Sequence, residues 1–200
     1  MSKIRALRLL DHACAGGDGA VVCMRVVEAQ GLRTVFGWFM KSSEKSPDSS
    51  RRKAVEHLLG IFASLLRSLP SDSAPRIRTL AKFVERNYEK VEKLLDLREE
   101  YIRGVKAVEK NIKEQKSLMD AGEEDEESFL ERRLEGGLFC LQLIDQILAW
   151  LCAEDDGARR KIPVVMKKRG MGIKEVGVTI KGKSLWGGCG GLSWFTELWG

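Results

Sequence analysis

Residues 123–152 read EEDEESFLERRLEGGLFCLQLIDQILAWLC, and after AEDDG at 153–157 the chain continues as ARRKIPVVMKKRGMGIKEVGVTIKGK at 158–183. On a helical wheel of about 100° per residue, Leu130, Leu134, Leu138, Leu141, Ile144, Leu148 and Leu151 form one apolar stripe. Phe139, Leu143 and Trp150 lie nearly opposite. Past Leu134 the polar side chains occupy a narrow wedge of Glu135, Gln142, Asp145 and Gln146. A helix that is apolar on two sides is buried between layers, so the segment is expected as an inner helix of a stacked helical assembly. Gly136 and Gly137 fall inside it. Each costs about 1 kcal/mol relative to alanine, and the pair marks either a kink or the close approach of a neighbouring helix.

Working back towards the N-terminus, residues 88–119 read as one long helix. Val91, Leu94, Leu95, Tyr101, Ile102, Val105, Val108, Ile112 and Met119 share a face, and the remainder is charged. Glu89–Lys93, Glu99–Arg103 and Glu109–Lys113 are i,i+4 pairs with the acid first, the more favourable order. This is the pattern of an outer helix, packed on one side and wet on the other. A coiled coil is the alternative, although Arg98 and Glu109 interrupt the stripe. Before it, PRIRTLAKFVERN at 75–87 forms a separate helix with Pro75 in its first turn. RRKAVEHLLGIFASLLRSL at 51–69 is strongly amphipathic, with Val55, Leu58, Leu59, Phe62, Leu65, Leu66 and Leu69 at three- and four-residue steps. KSSEKSPDSS at 41–50 is a polar loop.

Residues 3–13, 20–30 and 32–40 are three short helices punctuated by AGGDG at 15–19 and by Gly31. Helix, glycine turn, helix, glycine, helix is the rhythm of an α-solenoid unit, though no internal period repeats cleanly. At the other end, IPVVMKKRG and MGIKEVGVTIKGK read as two short helices parted by Gly170 and Gly172. SLWGGCGGLSWFTELWG at 184–200 has five glycines, three tryptophans and one charge, with neither helical period nor strand alternation.

The chain has 200 residues, 44% hydrophobic and 32% charged, which fits a soluble helical protein with a sizeable core. Its net charge of +5 is unevenly spread. Residues 120–131 hold seven acids and no base, while residues 159–183 hold nine bases and one acid. Two readings stand for the basic end: a solvated helix flank, or a contact surface for RNA or an acidic partner. Five cysteines (Cys14, Cys23, Cys140, Cys152 and Cys189) form no CxxC pair, as expected of buried thiols in a reducing compartment. No apolar run reaches the roughly 18 residues of a membrane span, so no membrane partner is expected.

Little in the chain suggests catalysis. His12 and His57 are the two histidines, and neither has a partner at metal-ligand spacing. There is no phosphate-binding GxxxxGK[ST] loop and no GxSxG serine. The acids at 123–127 lack the alternating spacing of a calcium loop. The expectation is a protein that is not an enzyme, with no catalytic, cofactor-binding or metal-ligating residues and no cofactor.

LRLLDHACAGGDG, GLRTVFGWFMK, LGIFASLLRSL, KFVERNYEKVEKLLDL, EEDEESFLERRLEGGLFCLQLI and MKKRGMGIKEV occur in this order between residues 5 and 183. Together they resemble the C-terminal part of the beta-catenin-like protein 1 family, armadillo-type helical proteins. The resemblance implies an all-α, armadillo/HEAT-like α-solenoid fragment with a long outer helix and a C-terminal helical layer. It implies the end of a repeat array at 1–40 and a C-terminal helical region of the same solenoid at 51–183. Residues 184–200 have no counterpart in the resemblance and are expected to be a divergent, disordered tail. Members of that family are longer, so the chain is expected to be a truncated counterpart. The resemblance also implies a nuclear scaffold associated with the spliceosome and the nineteen complex, which binds basic localisation-type segments of splicing partners. The alternative is an RNA-binding module using the basic stretch 159–183. RNA contact is otherwise expected to be indirect or weak, and self-association is possible through the long helix. The residues that bind partners are left unassigned by the sequence.

Overall fold

A computed structural model describes residues 2–42, 49–118, 126–172, 175–177 and 179. Its elements are α1 (Lys3–Ala15), α2 (Gly19–Glu28), α3 (Gly31–Lys41), α4 (Ser49–Ser68), α5 (Ala74–Leu118), α6 (Glu126–Glu135), α7 (Leu138–Glu154) and α8 (Asp156–Lys168). No strand occurs among the described residues. The tail 184–200, Cys189, the acids 123–125 and most of the loop 41–50 lie outside the described residues.

The two most buried helices, α4 and α7, pack on each other. Helix α4 buries Val55, Leu58, Leu59, Ile61, Phe62, Leu65 and Leu66. Helix α7 buries Cys140, Leu141, Leu143, Ile144, Ile147, Leu148, Leu151 and Cys152. Against this inner pair lie α1 and α2 on the α4 side, and α5 and α8 on the α7 side. An aromatic cluster ties the layers together: Phe36 stacks on Phe62 at 4.5 Å, and Phe83 meets both rings edge-on at 4.8 and 5.3 Å. One continuous set of buried side chains runs from Leu7 to Val176. Expulsion of that apolar surface from water is the main driving force for the stack.

Helix α5 is two helices joined by a sharp turn. Arg86, Asn87 and Tyr88 adopt left-handed backbone angles, with φ of 53°, 55° and 66°. Left-handed residues other than glycine cost roughly 1–2 kcal/mol each, so the turn needs support. Tyr88 Oη donates to Asp155 Oδ1 at 3.0 Å, and Lys161 Nζ donates to the Asn87 carbonyl at 2.8 Å. Lys90 bonds Glu85 and Glu89, each at 3.0 Å. The break falls where the sequence reading divides 75–87 from 88–119. The second limb buries Val91, Leu94, Leu95 and Ile112 and exposes Glu99, Glu100, Arg103 and Lys106, as an outer helix should.

Two expectations are corrected. The stretch 126–154 is not one helix: α6 and α7 meet at an angle of 68° across Gly136 and Gly137. Helix α8 begins at Asp156, well before Ile162, and continues through Pro163. Its start is fixed by Asp155, whose side chain accepts from the Ala158 amide at 2.6 Å. The expected last helix, 171–183, lies mostly outside the described residues, with 175–177 and 179 helical.

Candidate interaction site

The corner between α6 and α7 is shaped by close packing against the second limb of α5. Gly137 has φ of 103°, a left-handed conformation that glycine adopts without penalty. The Tyr101 ring lies where a side chain at Gly137 would project. A Cβ on Gly104 would come within 2.6 Å of the Gly136 carbonyl oxygen, and one on Gly136 within 2.8 Å of Val108 Cγ2. Kink and close approach, the two roles open to the glycine pair in the sequence, are both present.

This corner, the start of α4 and the middle of α5 enclose an open cavity of about 530 Å³. Its floor is Tyr101, Gly104, Gly136, Gly137 and Cys140, and its apolar wall is Leu134 and Phe139. Leu134 is 39% exposed and Phe139 40% exposed. Both stand in apolar stripes on the helical wheel, yet the 68° bend turns them out of the core. Arg52, Glu56, Glu100 and Glu135 form the charged rim.

The cavity's charge comes from that rim. Burial pushes the Tyr101 hydroxyl well above the usual phenol range, with the neighbouring Cys140 thiol adding to the shift. Burial likewise raises Cys140 to about 11, with Glu56 adding and Arg52 opposing. Both groups are neutral at physiological pH, so three carboxylates face one guanidinium. Among the described residues, none of Glu56, Glu100 and Glu135 forms an ion pair. Other acids on α5 and α7 are engaged: Glu92 and Asp96 with Arg169, Glu109 with Arg133, and Glu154 with Arg76.

The basic stretch is partly consumed by internal contacts. Arg159 donates to the Cys152 and Ala153 carbonyls, each at 2.8 Å. Lys161 reaches Glu92 at 3.4 Å, and Arg169 bonds Glu92 and Asp96 at 3.0 and 2.6 Å. Arg160, Lys167 and Lys168 project to solvent. His57 pairs with Asp11 at 3.0 Å and joins α4 to α1, while His12 is exposed. Cys14, Cys23, Cys140 and Cys152 are buried free thiols. No group of His, Cys, Asp or Glu among the described residues is arranged to hold a metal ion. No described helix alone is long and apolar enough to cross a membrane.

Stacked helices, with α4 and α7 inside and the others packed against them, define the class as an α-solenoid, the architecture of armadillo motifs. The family model described as "Catenin-beta-like, Arm-motif containing nuclear" matches residues 1–181, and the chain belongs to that family. It is similar to the Beta-catenin-like protein 1 of Homo sapiens, 38% identical over an alignment of 189 residues, with 90% of this chain and 33% of the relative covered. The Beta-catenin-like protein 1 of Mus musculus is 37% identical over 191 residues, again 90% of this chain and 33% of the relative. The Beta-catenin-like protein 1 homolog of Schizosaccharomyces pombe is 33% identical over 180 residues, 90% of this chain and 30% of the relative. The chain therefore spans about a third of the length of the curated relatives it matches. The family is a nuclear one, as the resemblance implied.

Proposed function

We propose that this chain is part of a non-enzymatic scaffold of the nuclear splicing machinery, and that its contribution is to hold basic segments of partner proteins. The observation that carries the reading is the cavity at the α6–α7 corner, where three carboxylates that form no ion pair among the described residues line one cavity with exposed Leu134 and Phe139. A negative rim around an apolar floor suits a cationic peptide, and it repels nucleic-acid phosphates. Helical stacks of this class offer extended surfaces to other proteins, which supports a binding role over a catalytic one.

The test is an array of basic tails from splicing factors, each paired with a version in which lysine and arginine are replaced by glutamine. The expected result is binding of the basic versions by the folded chain, weakened as salt rises from 50 to 200 mM. Equal binding of the glutamine versions would remove the proposal.

A further inference from the structure

We infer that the α6–α7 cavity is an arginine-selective pocket, receiving one arginine side chain from a basic segment; the inference rests on the scaffold reading above and assigns it a site. The first argument is location. Six large apolar side chains are exposed among the described residues. Leu9, Val21, Ile77 and Val164 stand on α1, α2, the first limb of α5 and α8, and isolated exposed side chains of this kind are ordinary. Leu134 and Phe139 line one cavity together.

The second argument is charge. The rim carries Glu56, Glu100 and Glu135 against Arg52, a local balance of three negatives to one positive. The end dipoles of α6 and α7 meet at the corner with opposite signs and largely cancel, so they do not reverse it. An acidic peptide, a phosphate or an anionic lipid headgroup would meet repulsion here. A cation would gain two or three carboxylate partners that form no ion pair among the described residues.

The third argument selects the cation. A lysine ammonium is a compact, strongly hydrated point charge with no planar face and only three donors. An arginine places its stem along apolar surface, lays its planar guanidinium on aromatic rings and spreads five donors over several carboxylates. The floor and wall supply Tyr101 and Phe139, and the rim supplies three carboxylates from three helices. A cavity of about 530 Å³ holds such a side chain together with its flanking backbone. Gly104, Gly136 and Gly137 keep the floor low, since a side chain at any of them would collide with Val108, Tyr101 or the opposing backbone.

The experiment titrates the full chain with two fluorescent nine-residue peptides, one of glycine, serine and four arginines, the other with four lysines in their place. The arginine peptide is expected to bind at least about fivefold more tightly than the lysine peptide. Glu100→Lys combined with Glu135→Lys reverses two exposed rim charges and is expected to weaken the arginine peptide by about tenfold or more. Glu28→Lys, on the distant α2, is expected to change affinity by less than about twofold. Thermal melting followed by circular dichroism checks that each variant stays folded. If the double reversal leaves arginine binding intact, or the lysine peptide binds equally well, this pocket is overturned while basic-segment binding stands. If the unmodified chain binds neither peptide, the pocket and the scaffold reading fall together.

Discussion

Arg98 on α5 and Asp145 on α7 form an ion pair inside the protein, with Nε to Oδ1 at 2.6 Å and Nη2 to Oδ2 at 3.3 Å. Arg98 is 1% exposed and Asp145 is not exposed at all. The sulfur of Met171 sits 3.4 Å from Nη1, and Glu175 approaches at 3.9 Å, so the chain after α8 closes over the pair. Removing one partner strands a buried charge, which costs about 3–5 kcal/mol. Asp145→Ala is therefore expected to lower stability by about that amount in urea denaturation. Arg98→Met together with Asp145→Leu is expected to recover most of the loss, because two apolar groups leave nothing unpaired. If the double variant were as unstable as the single one, the stranded charge would not be the cause.

Gly137 and Tyr101 constrain one another. Alanine at 137 keeps the left-handed φ of 103° at a cost, and its methyl group displaces the Tyr101 ring. The expected loss for Gly137→Ala is about 2–4 kcal/mol, the backbone strain and the steric clash together. Tyr101→Ala costs stability alone but relieves the clash, so the two substitutions are expected to be less damaging together than the sum of each. A double-mutant cycle by thermal unfolding measures this, and strict additivity would show that the ring is not what Gly137 accommodates.

The helices are legible in the sequence because their apolar spacing is regular. Val55 to Leu66 in α4 and Val91 to Leu95 in α5 are buried as the periodicity predicts. What spacing cannot reveal is which polar residues face protein and which face water. Asp145 and Gln146 read as a narrow polar wedge of an inner helix, and Arg98 as a break in an apolar stripe. All three are buried, since the partner that neutralises Asp145 lies 47 residues away in sequence. The site is legible in part: Gly136–Gly137 is a visible signal with Glu135 beside it, whereas Glu56 and Glu100 reach the cavity from α4 and α5 and carry no local signal. Leu134 and Phe139 read as core, because exposing them depends on a 68° bend set by Tyr101 and Val108 on another helix.

Arg76 joins the ends of α4 and α7. Its Nε donates to Glu154 Oε2 at 2.8 Å, and Nη2 meets the other carboxylate oxygen. Nη1 is directed at the Leu65, Leu66 and Leu69 carbonyls that end α4, and the guanidinium lies 5.0 Å from the Trp150 ring. A cation there complements the helix dipole and reaches the Leu66 carbonyl, which Pro70 cannot serve because it has no N–H. Lysine has neither the fork nor the planar face to replace it. Arg76→Lys is expected to cost about 2 kcal/mol and Arg76→Ala more, while Glu154→Gln, on a partly exposed side chain, costs less. Urea midpoints of the three variants establish the order, and a stability-neutral Arg76→Lys would contradict it.

Cys152 makes the protein sensitive to alkali. Burial in α7 pushes its thiol up to about 12, with Arg159 opposing, while a free cysteine titrates near about 8.5. Its folded-state pKa is raised, so its contribution to stability is fully present below about pH 8.5 and is lost as pH rises towards about 12. Through that window the unfolded chain ionises the thiol and the folded chain does not. Cys140, raised by burial to about 11, acts in the same direction. Cys152→Ala removes one of these terms and costs stability at pH 8 through lost packing. Under reducing conditions, the stability gap between the original chain and Cys152→Ala is expected to narrow between pH 8 and pH 10.5. A gap that stays constant would mean that the Cys152 thiol ionises as readily in the folded helix as in the unfolded chain.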